Sequence, residues 1–173
     1  YMCLGEDPDP VKTSERPPKS MGHGKVMPPN TRDRHVIFNF LGHMSEKVAL
    51  RLRAHDMTSQ HFFIGLRLEQ GWIVEQYKTV QATDDGALIF QLAKAMVLQR
   101  WHGEGVFQCQ VTALRVQHGS GQRDLFEPYP EKALAVNTVM DQVNQRYGIG
   151  GVVRAHCLQQ LNMPDVIAPA WRP

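Results

Sequence analysis

The stretch His61-Phe62-Phe63-Ile64-Gly65-Leu66-Arg67-Leu68-Glu69, followed after Gln70-Gly71 by Trp72-Ile73-Val74-Glu75-Gln76-Tyr77-Lys78-Thr79-Val80, decides the fold. Both runs alternate. In the first, Phe62, Ile64, Leu66 and Leu68 oppose Phe63, Gly65 and Arg67. In the second, Ile73, Tyr77 and Thr79 oppose Trp72, Val74, Gln76 and Lys78, with Glu75 interrupting the apolar series. Successive side chains of a strand point to opposite faces, so each run predicts a strand with one core face and one polar, partly basic face. Gln70-Gly71 between them predicts a hairpin.

The same reading extends in both directions. Upstream, Lys19 to Met27 is extended, and Pro28-Pro29 is expected to end it. Asn30 or Thr31 is placed to cap a helix, because Ile37, Leu41, Met44, Val48 and Leu52 then recur at steps of four and three until His55-Asp56. Glu46, Lys47, Arg51 and Arg53 lie off that stripe. Downstream, Thr83-Asp84-Asp85 starts a second helix, with Ile89, Leu92 and Met96 on its apolar side and Phe90, Val97 and Trp101 flanking them. Gly103 and Gly105 stop it, and Val106–Val116 reads as a last strand. The predicted fold is therefore α+β in the split βαβ order, strand-helix-strand-strand-helix-strand. Two helices cover one face of a four-stranded sheet and leave the other open. A third helix is expected over 131–147, where Val136, Val139, Met140, Val143 and Tyr147 have helical spacing, followed by an irregular tail.

This divides the 173 residues into a linker (1–17), a domain (18–117), a loop (118–130), a C-terminal helix (131–148) and a tail (149–173). The linker is rich in proline and acid and reads as a tether to something upstream, consistent with a piece excised from a longer protein. Net charge is only +2, but residues 17–80 hold nine Lys/Arg against five Asp/Glu, while residues 81–117 and 118–173 each balance to zero. A positive excess confined to one stretch fits a surface that meets a polyanion, though ordinary scatter of surface charge gives the same count. Cys3, Cys109 and Cys157 are odd in number and far apart, so neither a disulfide framework nor a zinc ribbon is implied, and Cys109 is expected in the core. No run is long and apolar enough to span a membrane and nothing resembles a signal peptide, so a cytoplasmic, membrane-free and monomeric protein is expected.

Lys19-Ser20-Met21-Gly22-His23-Gly24-Lys25 is the first candidate site. Glycines allow a backbone close to a phosphate, and lysines add charge indifferent to base identity. The GxxxxGK[ST] spacing of a P-loop is absent. By composition alone, a glycine-containing edge strand accounts for it better. None of the eight histidines makes an HxxxH or HExxH pair, and Asp84-Asp85 is better explained as a helix cap than as metal-bound carboxylates.

The run Pro18 to Lys25, followed by Asn30-Thr31-Arg32-Asp33, resembles the opening of the little-finger domain of bacterial Y-family translesion DNA polymerases such as DNA polymerase IV. Thr79-Val80, Thr83-Asp84-Asp85 and Asp124-Leu125-Phe126 recur in that family's order, and the resemblance covers roughly residues 4–155. It implies that the open sheet face holds the backbones of double-stranded primer/template DNA. The matching positions are Lys19, Ser20, Gly22, His23 and Lys25 on the first strand, Gln76, Lys78 and Thr79 on the third, and Arg115 on the last; strand alternation adds Arg67. Many members have arginine where this chain has Gln76. Gln122-Arg123-Asp124-Leu125-Phe126 resembles the motif that binds the bacterial sliding clamp, with Leu125 and Phe126 as apolar anchors and Gln122 at the pocket rim. Arg123 stands where leucine is usual. The resemblance places no catalytic residue or cofactor in this chain, and implies magnesium and catalytic carboxylates in an upstream part of the parent protein. Three other readings stay open: a catalytically inactive paralogue acting as a clamp-bound mutagenesis adaptor, an RNA-binding module stacking bases on Phe63 and Trp72, and a sheet that binds another protein.

Overall fold

A computed structural model describes residues 18–119, 131–148 and 150–160. Its elements follow the expected order: β1 (Ser20–Thr31), α1 (Arg34–Ala54), β2 (Met57–Leu68), β3 (Gly71–Thr83), α2 (Gly86–Arg100), β4 (Val106–Leu114), β5 (Gln117–His118) and α3 (Glu131–Tyr147), then a 3-10 turn, Ala155–Gln160. The main sheet runs β1-β4-β2-β3 with every neighbouring pair antiparallel, and β5 adds a short pairing to the start of β2. Each strand-helix-strand unit thus straddles a strand from the other unit: β4 separates β1 from β2, and β2 separates β3 from β4. This is the split βαβ arrangement, with β1 and β3 as edges.

The apolar stripes read from sequence are the core. Ile37, Leu41, Met44, Val48 and Leu52 of α1 are fully buried, as are Ile89, Ala93, Met96 and Val97 of α2. They pack on Phe62, Ile64 and Leu66 of β2 and Cys109, Val111 and Ala113 of β4. Removing each large side chain from water contributes about 1.5–3 kcal/mol. Burial pushes the Cys109 thiol up to about 12, as befits a core residue. Among the described residues no helix is long and apolar enough to cross a membrane.

Local boundaries differ from expectation in four places. Pro28-Pro29 does not end β1; the strand runs on to Thr31 through a shift in register between Val26 and Thr31. β1 is an edge strand, so prolines there break no ladder bond on an outer side. Asp33, not Asn30 or Thr31, caps α1: its Oδ1 accepts from the His35 amide at 2.8 Å. Leu68 pairs with Gly71, so Glu69-Gln70 forms the hairpin turn, one residue earlier than the Gln70-Gly71 expected, and Gly71 takes φ 139° as the first residue of β3. The last strand stops at Leu114, because Arg115 adopts the left-handed φ of 50° and redirects the chain into β5.

The third helix forms as expected, yet its apolar residues are not its contact face. Val136, Val139 and Tyr147 are exposed, and Asn137 is the buried residue. Polar chemistry holds α3 down. Asn137 Nδ2 donates to Asp85 Oδ1 at 3.3 Å, Arg154 Nη2 donates to Asn137 Oδ1 at 2.6 Å, and Arg53 pairs with Asp141. Asn144 closes the following turn through both ends of its amide, donating to the Val152 carbonyl and accepting from the Val152 amide, each at 2.9 Å.

Candidate nucleic-acid interface

Strand pairing fixes which side chains share the open face. Reading across β1, β4, β2 and β3, the rows are Ser20, Leu114, His61 and Lys78; Gly22, Thr112, Phe63 and Gln76; Gly24, Gln110, Gly65 and Val74; and Val26, Gln108, Arg67 and Trp72. Directly opposed residues of antiparallel strands point to the same side. No aspartate or glutamate occupies any of these positions. Glu75, the acid within β3, lies on the helix side and sits 3.8 Å from Arg100. The face therefore presents Lys78, with His61 beside it, at one end and Arg67 at the other, with Gln76 and Gln110 between.

The face is also low in relief, for different reasons at each glycine. A Cβ on Gly22 would run into the Thr112 side chain, so this glycine serves packing rather than an open backbone. At Gly65 a Cβ would stand 3.1 Å from the Trp72 ring and 3.3 Å from the Phe63 ring, which lean over it from both sides. Gly24 is exposed, and a Cβ there would meet nothing closer than 3.4 Å, so its backbone alone is open to an incoming group.

The predicted contact residues do not all gather on this surface. Ser20, Gly22, Arg67, Gln76 and Lys78 share it. Lys19 is exposed just ahead of β1, and Arg115 is exposed just beyond β4. Thr79 turns inward, where its hydroxyl donates to the Gln81 carbonyl at 2.6 Å. Alternation likewise puts His23 and Lys25 on the helix side of β1, opposite Val111 and Cys109. Gln122, Leu125 and Phe126 lie outside the described residues.

On that helix side, sequence reasoning missed three partners. His43, Lys47 and Arg51 recur every four residues along α1 and face His23 and Lys25 along β1. Arg51 Nη1 donates to the Gly22 carbonyl at 2.8 Å and fixes the two elements edge to edge. The groups perturb one another as crowded cations do. Burial, then Lys47, Arg51 and Lys25, lower His23 to about 4. Burial, then Lys47, Lys25 and His23, lower His43 to about 4. Burial and Lys25 also pull Lys47 below its ordinary value. The i, i+4, i+8 spacing of these α1 residues was the available signal; what hid it was not knowing which strand the stripe would face.

Asp84 and Asp85 form no metal cradle. Asp85 caps α2, its Oδ1 accepting from the Ala87 amide at 3.2 Å, and Thr83 Oγ1 accepts from the Asp85 amide at 3.1 Å. Among the described residues no group of three or more His, Cys, Asp or Glu could hold a metal ion.

The model of the impB/mucB/samB family C-terminal domain matches residues 18–125. No curated protein matches the chain. Among solved structures, one similar chain comes from a complex of beta-clamp processivity factor and the little finger domain of PolIV, with 11% identity, 63% of this chain and 99% of that one covered, and a TM-score of 0.49. Another is the Y-family DNA polymerase chimera Dbh-Dpo4(243-245)-Dbh, at 17% identity, 68% of this chain, 34% of that one and a TM-score of 0.48. A third is an insertion ternary complex of Dbh DNA polymerase, at 15% identity, 58% of this chain, 29% of that one and a TM-score of 0.47.

Proposed function

We infer the function from one premise: this chain belongs to the impB/mucB/samB family, as its C-terminal domain, since the match covers more than half of its length. On that premise it is the duplex-DNA-binding little finger of an error-prone translesion polymerase. It lays the open face of its sheet against the primer/template backbone, and tethers itself to the bacterial sliding clamp through Gln122, Leu125 and Phe126. Nucleotidyl transfer and its magnesium belong, on this reading, to a part of the parent protein outside this chain.

The observation that carries the reading is the acid-free open face, with Lys78 and Arg67 at its ends and the exposed backbone of Gly24 between. A face of this kind attracts a polyanion without repelling it anywhere, and glutamines with backbone amides donate to phosphate oxygens regardless of sequence. Neutralising phosphates releases condensed counterions, so affinity for duplex DNA should fall linearly on a log-log plot against salt, by about 0.9 per phosphate contacted. Fluorescence anisotropy with labelled duplexes tests it. Lys78→Ala should weaken every duplex alike, and affinity that ignores salt overturns the reading. For the tether, a peptide of residues 118–130 should bind a bacterial sliding clamp; failure to do so, where an established clamp peptide binds, removes that half of the proposal.

A further inference from the structure

The hairpin end of the open face is built differently from the rest of it. Phe63, Gly65 and Arg67 follow one another on β2, and Gln76, Val74 and Trp72 oppose them on β3. Alternate residues of a strand share a side, so Phe63, Val74 and Trp72 surround Gly65. The missing Cβ lets the Trp72 and Phe63 rings come close to the strand backbone at that point. Gly65 is buried, whereas Trp72 is still 43% exposed and Val74 is exposed beside it. Covering a glycine accounts for the inner side of the indole and leaves its outer side without a purpose.

Phosphates do not supply that purpose, because the face of an aromatic ring is electron-rich and gains nothing from an anion. An unpaired nucleobase does, since it is flat, apolar on its faces and free to stack. Such a base brings its own phosphate, and Arg67 stands directly opposite Trp72 to receive it. Gln108 continues the same row across β4. Neither this row nor the next holds an acid, and Glu69 lies beyond them in the hairpin turn.

We propose that Phe63, Trp72 and Arg67 form a stacking site for an unpaired nucleobase of single-stranded DNA that continues from the bound duplex. The inference rests on the duplex-binding reading of the open face. Lys78 and its neighbours hold the paired backbone at one end, and the strand that outruns its partner crosses the hairpin end. There the indole takes the base and the guanidinium takes the adjoining phosphate. Every base has a stacking face, so the site tolerates any sequence. What it distinguishes is unpaired from paired DNA, because bases inside a duplex already have both faces covered by their neighbours.

Anisotropy with the full 173-residue chain tests this on three labelled DNAs. One is a blunt duplex, one carries a single-stranded oligo(dT) extension, and one carries an abasic extension of equal length, which keeps the phosphates and removes the bases. The oligo(dT) extension should tighten binding about ten-fold over the abasic one, as one stacked base does. Trp72→Leu, which keeps an apolar cover over Gly65, should bring that ratio close to one, and Trp72→Phe should retain most of it. Oligo(dT) should also quench the indole fluorescence of the unaltered chain, and Trp72→Phe should abolish the quenching; Trp101, only 6% exposed, is shielded from it. Thermal melting checks that each variant is folded. Should Trp72→Leu unfold, the abasic comparison and the quenching decide without it. Equal affinity for the oligo(dT) and abasic extensions, or a ratio that survives Trp72→Leu, overturns this inference and leaves the duplex reading standing. Tighter binding of an oligo(U) extension than of oligo(dT) assigns the site to RNA and overturns it as well. A blunt duplex that fails to bind at low salt overturns the duplex reading and this inference with it.

Discussion

Arg53 grips Asp141 with two parallel hydrogen bonds, Nε to Oδ2 at 2.6 Å and Nη2 to Oδ1 at 2.9 Å, and so ties α3 to α1 across 88 residues of sequence. The same guanidinium donates through Nη1 to the Asp84 carbonyl at 2.8 Å, at the start of α2. One side chain therefore holds three helices in register. The pair is mostly covered, with 14% of the Arg53 side chain and 29% of the Asp141 side chain exposed.

Removing either partner leaves a desolvated charge behind, so Asp141→Ala should lower the unfolding free energy by about 1–3 kcal/mol. Arg53→Met should cost a similar amount. Urea titration of the single and double variants checks it: the double variant should lose clearly less than the sum of the two, because only one interaction is being removed twice.

Asp85 carries more than its cap. Its Oδ1 also receives Asn137 at 3.3 Å and Arg154 at 3.2 Å, so α2 begins and the C-terminal segment docks at the same oxygen. Asp85→Ala should cost about 1–2 kcal/mol for the cap alone, and more in total once Arg154 keeps only Glu46 as a carboxylate partner. Asp85→Asn keeps the cap and should recover about half of the loss in the same urea titration. Equal losses from both substitutions would show that the charge, not the cap, matters.

The glycines of β1 should behave in opposite ways. Gly22→Ala pushes against Thr112 and should cost about 1–3 kcal/mol, as overpacking does. Adding Thr112→Ala should restore most of it. Gly24→Ala should leave the melting temperature within a degree or two, because nothing opposes its Cβ closely, while weakening duplex binding. A stable Gly22→Ala protein would contradict the packing described.

Acid should destabilise the fold through the β1 edge. His23 and His43 fall from their ordinary 6.5 to about 4 in the folded chain. Between those values the unfolded chain binds more protons, so their contribution to stability is full above pH 6.5 and drains away as pH falls toward 4. Burial moves Glu46 and Asp84 the other way, raising both carboxyls, and they offset part of this at the low end. The difference between the unaltered chain and His23→Gln/His43→Gln isolates the histidines. Melting temperatures recorded from pH 7.5 to 4.5 should converge, with the unaltered chain losing more.

How much of this was legible depends on what each feature answers to. The stripes from Ile37 to Leu52 and through Phe62, Ile64 and Leu66 are visible because burial demands a fixed period, and that period alone gives the order of elements. Pro28-Pro29 misled because proline is a breaker only where a ladder bond is needed, and whether a strand lies at an edge is a property of the sheet. Lys19 to Lys25 read as one contact, yet the pleat sends Ser20 and Gly22 one way and His23 and Lys25 the other. Thr79 falls inward for the same reason. The docking of α3 through Asn137, Asp141 and Arg154 had no sequence signal, because polar partners far apart in the chain follow no period. The exposed Val136 and Val139 supplied the expected spacing without the expected contact.

The register shift in β1 has one further result. An edge strand with a free row of amides invites another chain to add itself and grow the sheet. Here Pro28 and Pro29 carry no N–H to offer an added strand, and Arg51 already occupies the Gly22 carbonyl. The outer margin of the sheet is thereby a poor template for strand addition, so the surface offered to a charged partner is guarded against self-association into fibres.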